Sequence, residues 1–497
     1  MSFAPSPSDP RQVVLACDLG STSLRAGLVG VDGALIAEAS VPAPVPSGSN
    51  SWSEVAPEAW WQGFSNLAAM LAAQAPANFR RCAAIAICGA TRAQVYLGAD
   101  GRPVRPSMVW NDTRAEGIAA GLRAGAGATH PEMAQVNASH PLARLVWIAA
   151  AEPAHAATIA TVLDPKDFLN FRLTGIAASD PVSMARMLAA HELHQGRDLL
   201  GPNGIRPTLI PAMREPWQVM GAVSAGLSGA MEALAGLPVI CGSNDTFAAV
   251  IGLGAMRAGY AYNISGTTEV LGVLGDRPAT ATGLIGLDWR GVHHLGGPSQ
   301  NGADLATWLA GLIGTTDAGA LDALLDGQRH PPPLIFLPYL GGERVPYWDP
   351  DLRGAFLGLS RGHGPADLVH AVFEGVAYQN RLVLERAEAA LGQRVGEIRF
   401  GGGGAASRHW RQIKADVLGR PVVVGAAREP GLTGAAALAF VGLGVFASLA
   451  AAQDAMVAAT SRYLPDPVRA ARCDALYALF RQAEAAVAPL SHALADL

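Results

Sequence analysis

Asp18 enters a turn built from Gly20, Ser21, Thr22 and Ser23, and Arg25 follows on the far side. These residue types at this spacing could handle phosphate. Glycine, serine and threonine present backbone N–H and hydroxyl donors with little bulk, which suits phosphate oxygens. A carboxylate at the entry could hold a hydrated Mg2+ and a cation at the exit could meet a transferring group, so the set suits a nucleotide. Residues 13–17, VVLAC, form a short unbroken apolar run, as expected of a strand buried on both faces. Residues 24–31 form a second apolar stretch, and Asp32-Gly33 signals a hairpin into a third at 34–37. The predicted unit is strand–turn–strand. It is not a P-loop, whose G-x-x-x-x-G-K-[ST] pattern must open a helix. An ordinary hairpin with a polar turn would read the same way, so the second copy matters. Residues 260–274, YAYNISGTTEVLGVL, repeat the grammar roughly 250 residues downstream. Two such hairpins, each opening half of the chain, predict a duplicated α/β unit with a nucleotide between its halves and a boundary near 252–258.

The 497 residues exceed what one hydrophobic core usually organises, so two large domains are expected. Half the residues are apolar and 15% are charged, which excludes a disordered chain. With 36 Lys and Arg against 41 Asp and Glu and no long basic run, nothing points to nucleic acid or an anionic membrane. A small-molecule partner is the expectation. Cys17, Cys82, Cys88, Cys241 and Cys473 are odd in number and scattered, as for buried thiols of a reducing, cytoplasmic compartment, and no pair has zinc-site spacing. Residues 1–11 have neither a basic start nor an apolar core and read as a flexible leader. Residues 433–453 carry no charge and are long enough to span a membrane, yet Gly442 and Gly444 would divide them into two helices, so no membrane span is expected.

Further elements must position further polar loops. Residues 57–74 have helical spacing, with Trp60, Phe64, Leu67, Met70 and Leu71 on one side. Residues 82–88, CAAIAIC, predict a buried strand ending in Gly89-Ala90-Thr91-Arg92, and Trp110-Asn111-Asp112 lie in another polar loop. A mainly helical stretch is expected over 141–200. Residues 238–241 predict a strand running into Gly242-Ser243-Asn244-Asp245-Thr246, then a helix through Met256. Read alone, Asp245 would more often be that helix's cap. In the second half, residues 334–339 predict a strand, 367–384 a helix, and 398–404, IRFGGGG, a strand ending in four glycines against which a flat ring such as adenine could lie.

Gly354-Ala355-Phe356-Leu357-Gly358-Leu359, then Asp367-Leu368 and Ala371-Val372-Phe373-Glu374, fit the second signature of the FGGY carbohydrate kinases at every position. With the stretch 336–344, FLPYLGGER, the chain resembles that family over nearly its whole length, most closely in the xylulokinase branch. The resemblance implies an α/β fold of two duplicated ribonuclease-H-like domains, of the actin-like ATPase type, around a central cleft. An N-terminal domain (12–255) would carry sugar binding, the first phosphate loop and the catalytic base; a C-terminal domain (256–497) would carry the second phosphate loop and adenosine binding. It implies ATP and Mg2+, a sugar acceptor, and the homodimer common in the family. By the same resemblance Gly20, Ser21, Thr22, Ser23 and Arg25 bind phosphate from one side, and Gly266, Thr267 and Thr268 from the other. Gly302, Gly402, Gly403, Gly404 and Ser407 continue the nucleotide site, Asp245 is the catalytic base, and Asp18 and Asp245 hold Mg2+ partly through water. Thr91, Arg92, Trp110, Asn111, Asp112, Asn244 and Asp245 would face the sugar.

Several positions depart from the pattern. Thr91-Arg92-Ala93 stands where xylulokinases carry Met-His-Gly, and Arg92 matches the Arg of the glycerol-kinase Arg-Glu. Thr246 replaces an Asn after the base, Arg144 a Lys of the first signature, and Ala406 a Lys of the adenosine segment. The expected acceptor is a ketopentose such as D-xylulose, with another ketose or a polyol (ribulose, erythritol or glycerol type) as the alternative. An actin-like ATPase without sugar chemistry shares the paired hairpins, but not the Asp245 loop or the signature ending at Glu374.

Overall fold

The computed structural model describes residues 13–48, 51–125, 127–315, 318–327 and 333–497. The leader expected at 1–11 lies outside them. The chain forms two compact units: the described residues up to Gly252 with Glu429–Val457, and Leu253–Arg428 with Ala458–Leu497.

In the first unit, β1 (Val13–Leu19) pairs antiparallel with β2 (Ser23–Gly30), and β2 with β3 (Leu35–Pro42). β1 is almost wholly buried, and α1 (Pro57–Gln74) packs on β2 and β3, adding Trp60, Phe64, Leu67 and Leu71 to the core that β1 shares. Met70, expected on the same side, is 38% exposed. β4 (Cys82–Gly89) runs parallel to β1. Beyond α2 (Pro165–Thr174) come β5 (Val219–Ala222), β6 (Pro238–Ile240) and α3 (Asp245–Gly252). β6 is parallel to β4 and antiparallel to β5, so the sheet order is β5-β6-β4-β1-β2-β3. The carboxyl ends of three neighbouring parallel strands therefore open on one edge, where ligands of open α/β sheets bind.

The second unit repeats the scheme. β7 (Tyr260–Ser265), β8 (Glu269–Gly275), β9 (Ile285–Asp288), β10 (His293–Pro298), β11 (Glu397–Gly401), β12 (Val422–Gly425) and β13 (Ala459–Tyr463) form a sheet of order β9-β10-β8-β7-β11-β12-β13. β7 is antiparallel to β8 and parallel to β11, as β1 is to β2 and β4. β12 is parallel to β11 and antiparallel to β13, as β6 is to β4 and β5. Strand direction, and not only the turn residues, is duplicated. Helices α4 (Asp304–Leu312), α5 (Pro365–Leu391) and α6 (Arg408–Leu418) belong to the same unit.

α7 (Pro430–Gly442) falls inside the sequence assigned above to the C-terminal domain, yet it packs on β1, β4 and α3 of the first unit. Its residues 431–440 are buried on every side, which explains the missing charge. The uncharged run breaks after Gly442 and resumes as a helix at Leu449–Met456; among the described residues no helix is long and apolar enough to cross a membrane. One further expectation needs correction: the helix after Asp245 stops at Gly252, short of Met256. Residues 141–200 are mainly helical, as expected, with the short strands Ile159–Leu163 and Ala178–Ser179 between the helices. All five cysteines are free and buried.

Candidate active site

Asp18 sits at the end of β1, opposite Arg25 on β2 and beside Cys88 on β4. One strand further, Asn244 bridges to Gly89, which puts Asp245 on the same edge. Burial, then the charge of Asp245 and, more weakly, Glu429 push the Asp18 carboxyl up to about 7, against the downward pull of the Cys88 thiol and Arg25. Its Oδ1 is buried without a hydrogen-bond partner. Arg25 is turned to Glu429, with which it forms an ion pair. The first turn of α7 closes the site from behind: a Cβ on Gly431 would lie 2.3 Å from Asp18 Oδ2. Only glycine admits that approach.

Asp245 does not cap α3. Asn244 does, its Oδ1 accepting the Phe247 N–H at 2.8 Å. That leaves the Asp245 carboxylate to Thr246, whose N–H and hydroxyl donate to Oδ1 at 2.6 and 3.2 Å. Burial raises the Asp245 carboxyl, and the two Thr246 donors offset part of the rise. Beneath the loop, Ser243 donates to Asp180 Oδ1 at 2.8 Å, and Lys166 lies 2.9 Å from Asp180 and 2.5 Å from Asp167. Asn170 Nδ2 holds the Cys241 carbonyl at 2.8 Å. Lys166, Asp167, Asp180 and Ser243 are fully buried, so this ionic strut fixes the loop.

Of the residues expected to face the sugar, Arg92 has φ 62°, uncommon outside glycine, and its Nη1 reaches Ser139 Oγ at 3.3 Å. Arg144 enforces this backbone: it is wholly buried and donates to the Arg92, Met108 and Val109 carbonyls and to Gln94 at 2.5–2.8 Å. The family's Lys has one nitrogen; Arg reaches two loops at once. Thr91 is half-buried, and Trp110 and Asn111 are exposed. Asp112 is 1% exposed, its oxygens filled by the Ser53 N–H and by Arg114, which stacks 3.7 Å over Trp52. It shapes the loop that presents Trp110.

The second unit has its own edge. Gly266, Thr267 and Thr268 make the turn between β7 and β8, and the Gly266 carbonyl accepts from Ala303 N at 2.8 Å. Gly302 abuts Thr268, where a Cβ would lie 2.5 Å from the backbone. Gly402 and Gly404 crowd Ser265 in the same way, at 2.4 Å, while Gly403 opens to empty space. Of the three, only Gly403 leaves the open surface expected for a flat ring. Ser407 caps α6, accepting from Trp410 N at 3.0 Å, and donates to Asp322. Sequence reasoning missed Gly431, the Lys166–Asp180–Ser243 strut and the clamping role of Arg144; the adjacent Lys166 and Asp167 at the start of α2 were the available signal for the strut.

An internally repeated α/β chain with a Gly/Ser/Thr hairpin at the edge of each sheet and two half-buried carboxylates beside the first defines a protein of the actin-like ATPase type. Residues 13–252 match the family model "FGGY family of carbohydrate kinases, N-terminal domain", and residues 261–443 match the C-terminal domain of the same family. The chain belongs to the FGGY family of carbohydrate kinases. It is 30% identical over 422 residues to the xylulose kinase of Escherichia coli (strain K12), covering 82% of this chain and 85% of that one. It is 29% identical over 459 residues to a glycerol kinase of Xanthobacter autotrophicus, covering 87% and 90%. The crystal structure of xylulose kinase from Rhodospirillum rubrum superposes with a TM-score of 0.86 at 29% identity, over 97% of this chain and 100% of that one.

Proposed function

We infer that the protein is an ATP-dependent kinase that transfers the γ-phosphoryl group to a hydroxyl of a ketopentose, with D-xylulose the first acceptor to test. The observation that carries this reading is Asp245: a half-buried carboxylate, relieved of capping by Asn244, at the strand edge it shares with Asp18. Sugar hydroxyls are poor nucleophiles near neutral pH. A carboxylate that takes the hydroxyl proton as the new O–P bond forms and the bond to the ADP oxygen breaks contributes about 10²–10⁴-fold. Gly20, Ser21, Thr22, Ser23 and Arg25 in one unit, and Gly266, Thr267 and Thr268 in the other, are the proposed hydrogen-bond donors to phosphate. Gly302, Gly402, Gly403, Gly404 and Ser407 are assigned to the rest of the nucleotide.

Mg2+ fits the Asp18 site, because an orphaned carboxylate oxygen and two mutually repelling acids call for a cation. Asp18 and Asp245 would hold it partly through water, and when bound it would neutralise phosphate charge. Thr91, Arg92, Trp110, Asn111 and Asn244 are the proposed acceptor contacts, with Asp112 shaping their loop. A cytoplasmic location and a homodimer belong to the same reading.

Arg92 favours a second acceptor reading, another ketose or a polyol, since a clamped cation replaces Met-His-Gly. An ADP-release screen over ketoses, aldoses and polyols tests both. Highest kcat/KM on D-xylulose supports the first reading, preference for a polyol the second, and no transfer to any acceptor removes both.

A further inference from the structure

The loop bearing Asp245 has almost no backbone freedom left. Asn244 is bridged to Gly89, its carbonyl accepts from Ala248 N at 3.1 Å, and its side chain caps α3. Ser243 is tied to the buried Asp180–Lys166 pair. What remains free is rotation of the Asp245 carboxylate about its own side-chain bonds. Thr246 addresses that rotation: its N–H and its hydroxyl converge on one oxygen, Oδ1, at 2.6 and 3.2 Å. A single donor fixes a direction but permits swivelling; two donors from one residue hold one oxygen and leave Oδ2 as the outward one. Around the carboxylate stand Asp18 on β1 and Cys88 on β4, with Arg25 and Glu429 next to Asp18.

We propose that Thr246 is a positioning residue that turns the Asp245 carboxylate so that Oδ2 receives the acceptor's proton. The inference rests on the kinase reading above and extends it to a residue at which the chain departs from the Asn of its xylulokinase relatives. Because Thr246 spends its hydroxyl on Asp245, that group is not an acceptor contact, and its loss should slow the chemical step without weakening binding. Misorientation of a reacting group commonly costs one to two orders of magnitude in rate.

The test is steady-state kinetics of the full chain, with wild type, Thr246→Val and Thr246→Ser compared on the best acceptor of the screen. Val keeps the shape of Thr and removes the hydroxyl; Ser keeps the hydroxyl. The expected result is a fall in kcat of about tenfold for Thr246→Val, KM values for ATP and acceptor within about twofold, and recovery to within about threefold in Thr246→Ser. ADP-induced thermal shifts of both variants verify folding. Wild-type kcat in Thr246→Val, or equal losses in Val and Ser, overturns the proposal. A raised acceptor KM at unchanged kcat also overturns it, by making Thr246 a binding group. If the wild type phosphorylates no acceptor at all, the kinase reading itself fails, and the positioning role falls with it.

Discussion

Replacing Gly431 with alanine adds one methyl group at a place that touches no reacting atom directly. On the surface of a helix this exchange stabilises by about 1 kcal/mol, since alanine is the better helix former. Here the new Cβ would lie 2.3 Å from Asp18 Oδ2 and 3.0 Å from its Cγ, well inside the roughly 3.5 Å at which non-bonded atoms attract. Neither side can retreat freely. Asp18 is paired on both flanks of β1, and three residues along α7 Gly434 is pressed so closely to the Ala248 carbonyl that a Cβ there would lie 1.8 Å away. The carboxylate must rotate or the helix must lift, at about 1–3 kcal/mol for such overpacking. A displaced Asp18 should reduce kcat by about 10²-fold. The assay pairs thermal unfolding with kcat on the best acceptor. The expected result is a lower midpoint together with slow turnover. A higher midpoint with full turnover would refute the reasoning, because it would leave helix propensity as the only effect.

Arg92→Ala should raise the acceptor KM about tenfold or more while the ATP KM stays within about twofold, in keeping with the loss of a charge-assisted hydrogen bond; an unchanged acceptor KM removes Arg92 from the pocket. Glu343, buried and accepting from Ser299 Oγ and the N–H groups of Gln300 and Arg344, has its carboxyl pushed up to about 7, chiefly by burial. The folded protein thus keeps a proton that the unfolded chain releases near ~4.3, so this group's contribution to stability falls as pH rises from there to about 7 and stays low above it. Glu343→Gln should therefore gain stability relative to wild type, by about 4 kcal/mol across that window, measured as the pH dependence of the difference in denaturant midpoints. A difference independent of pH contradicts it.

Much of this arrangement was legible in the residues. The run 13–17 and the turn after it could only be a buried strand and a small-residue turn, and 260–274 repeats them, so both hairpins stand where the pattern puts them. What stayed hidden has physical causes. α7 is apolar on all sides, so it carries no face to say which sheet it joins. Asn244 and Asp245 are both good caps, and only geometry tells which one is used. Glycines kept for close packing, such as Gly402 and Gly404, read the same as one that opens a surface, such as Gly403. The Lys166–Asp180–Ser243 strut joins residues far apart in the chain, a coupling that spacing alone does not encode.

In the proposed reaction the carboxylate of Asp245 takes the acceptor's proton. Turnover of Asp245→Asn with ATP and the best acceptor, measured beside ATP affinity by calorimetry, is the decisive comparison. With Asp245 as the base, kcat falls by about 10²-fold or more while ATP still binds within severalfold of wild type. Near-normal turnover in that variant would mean that another group takes the proton.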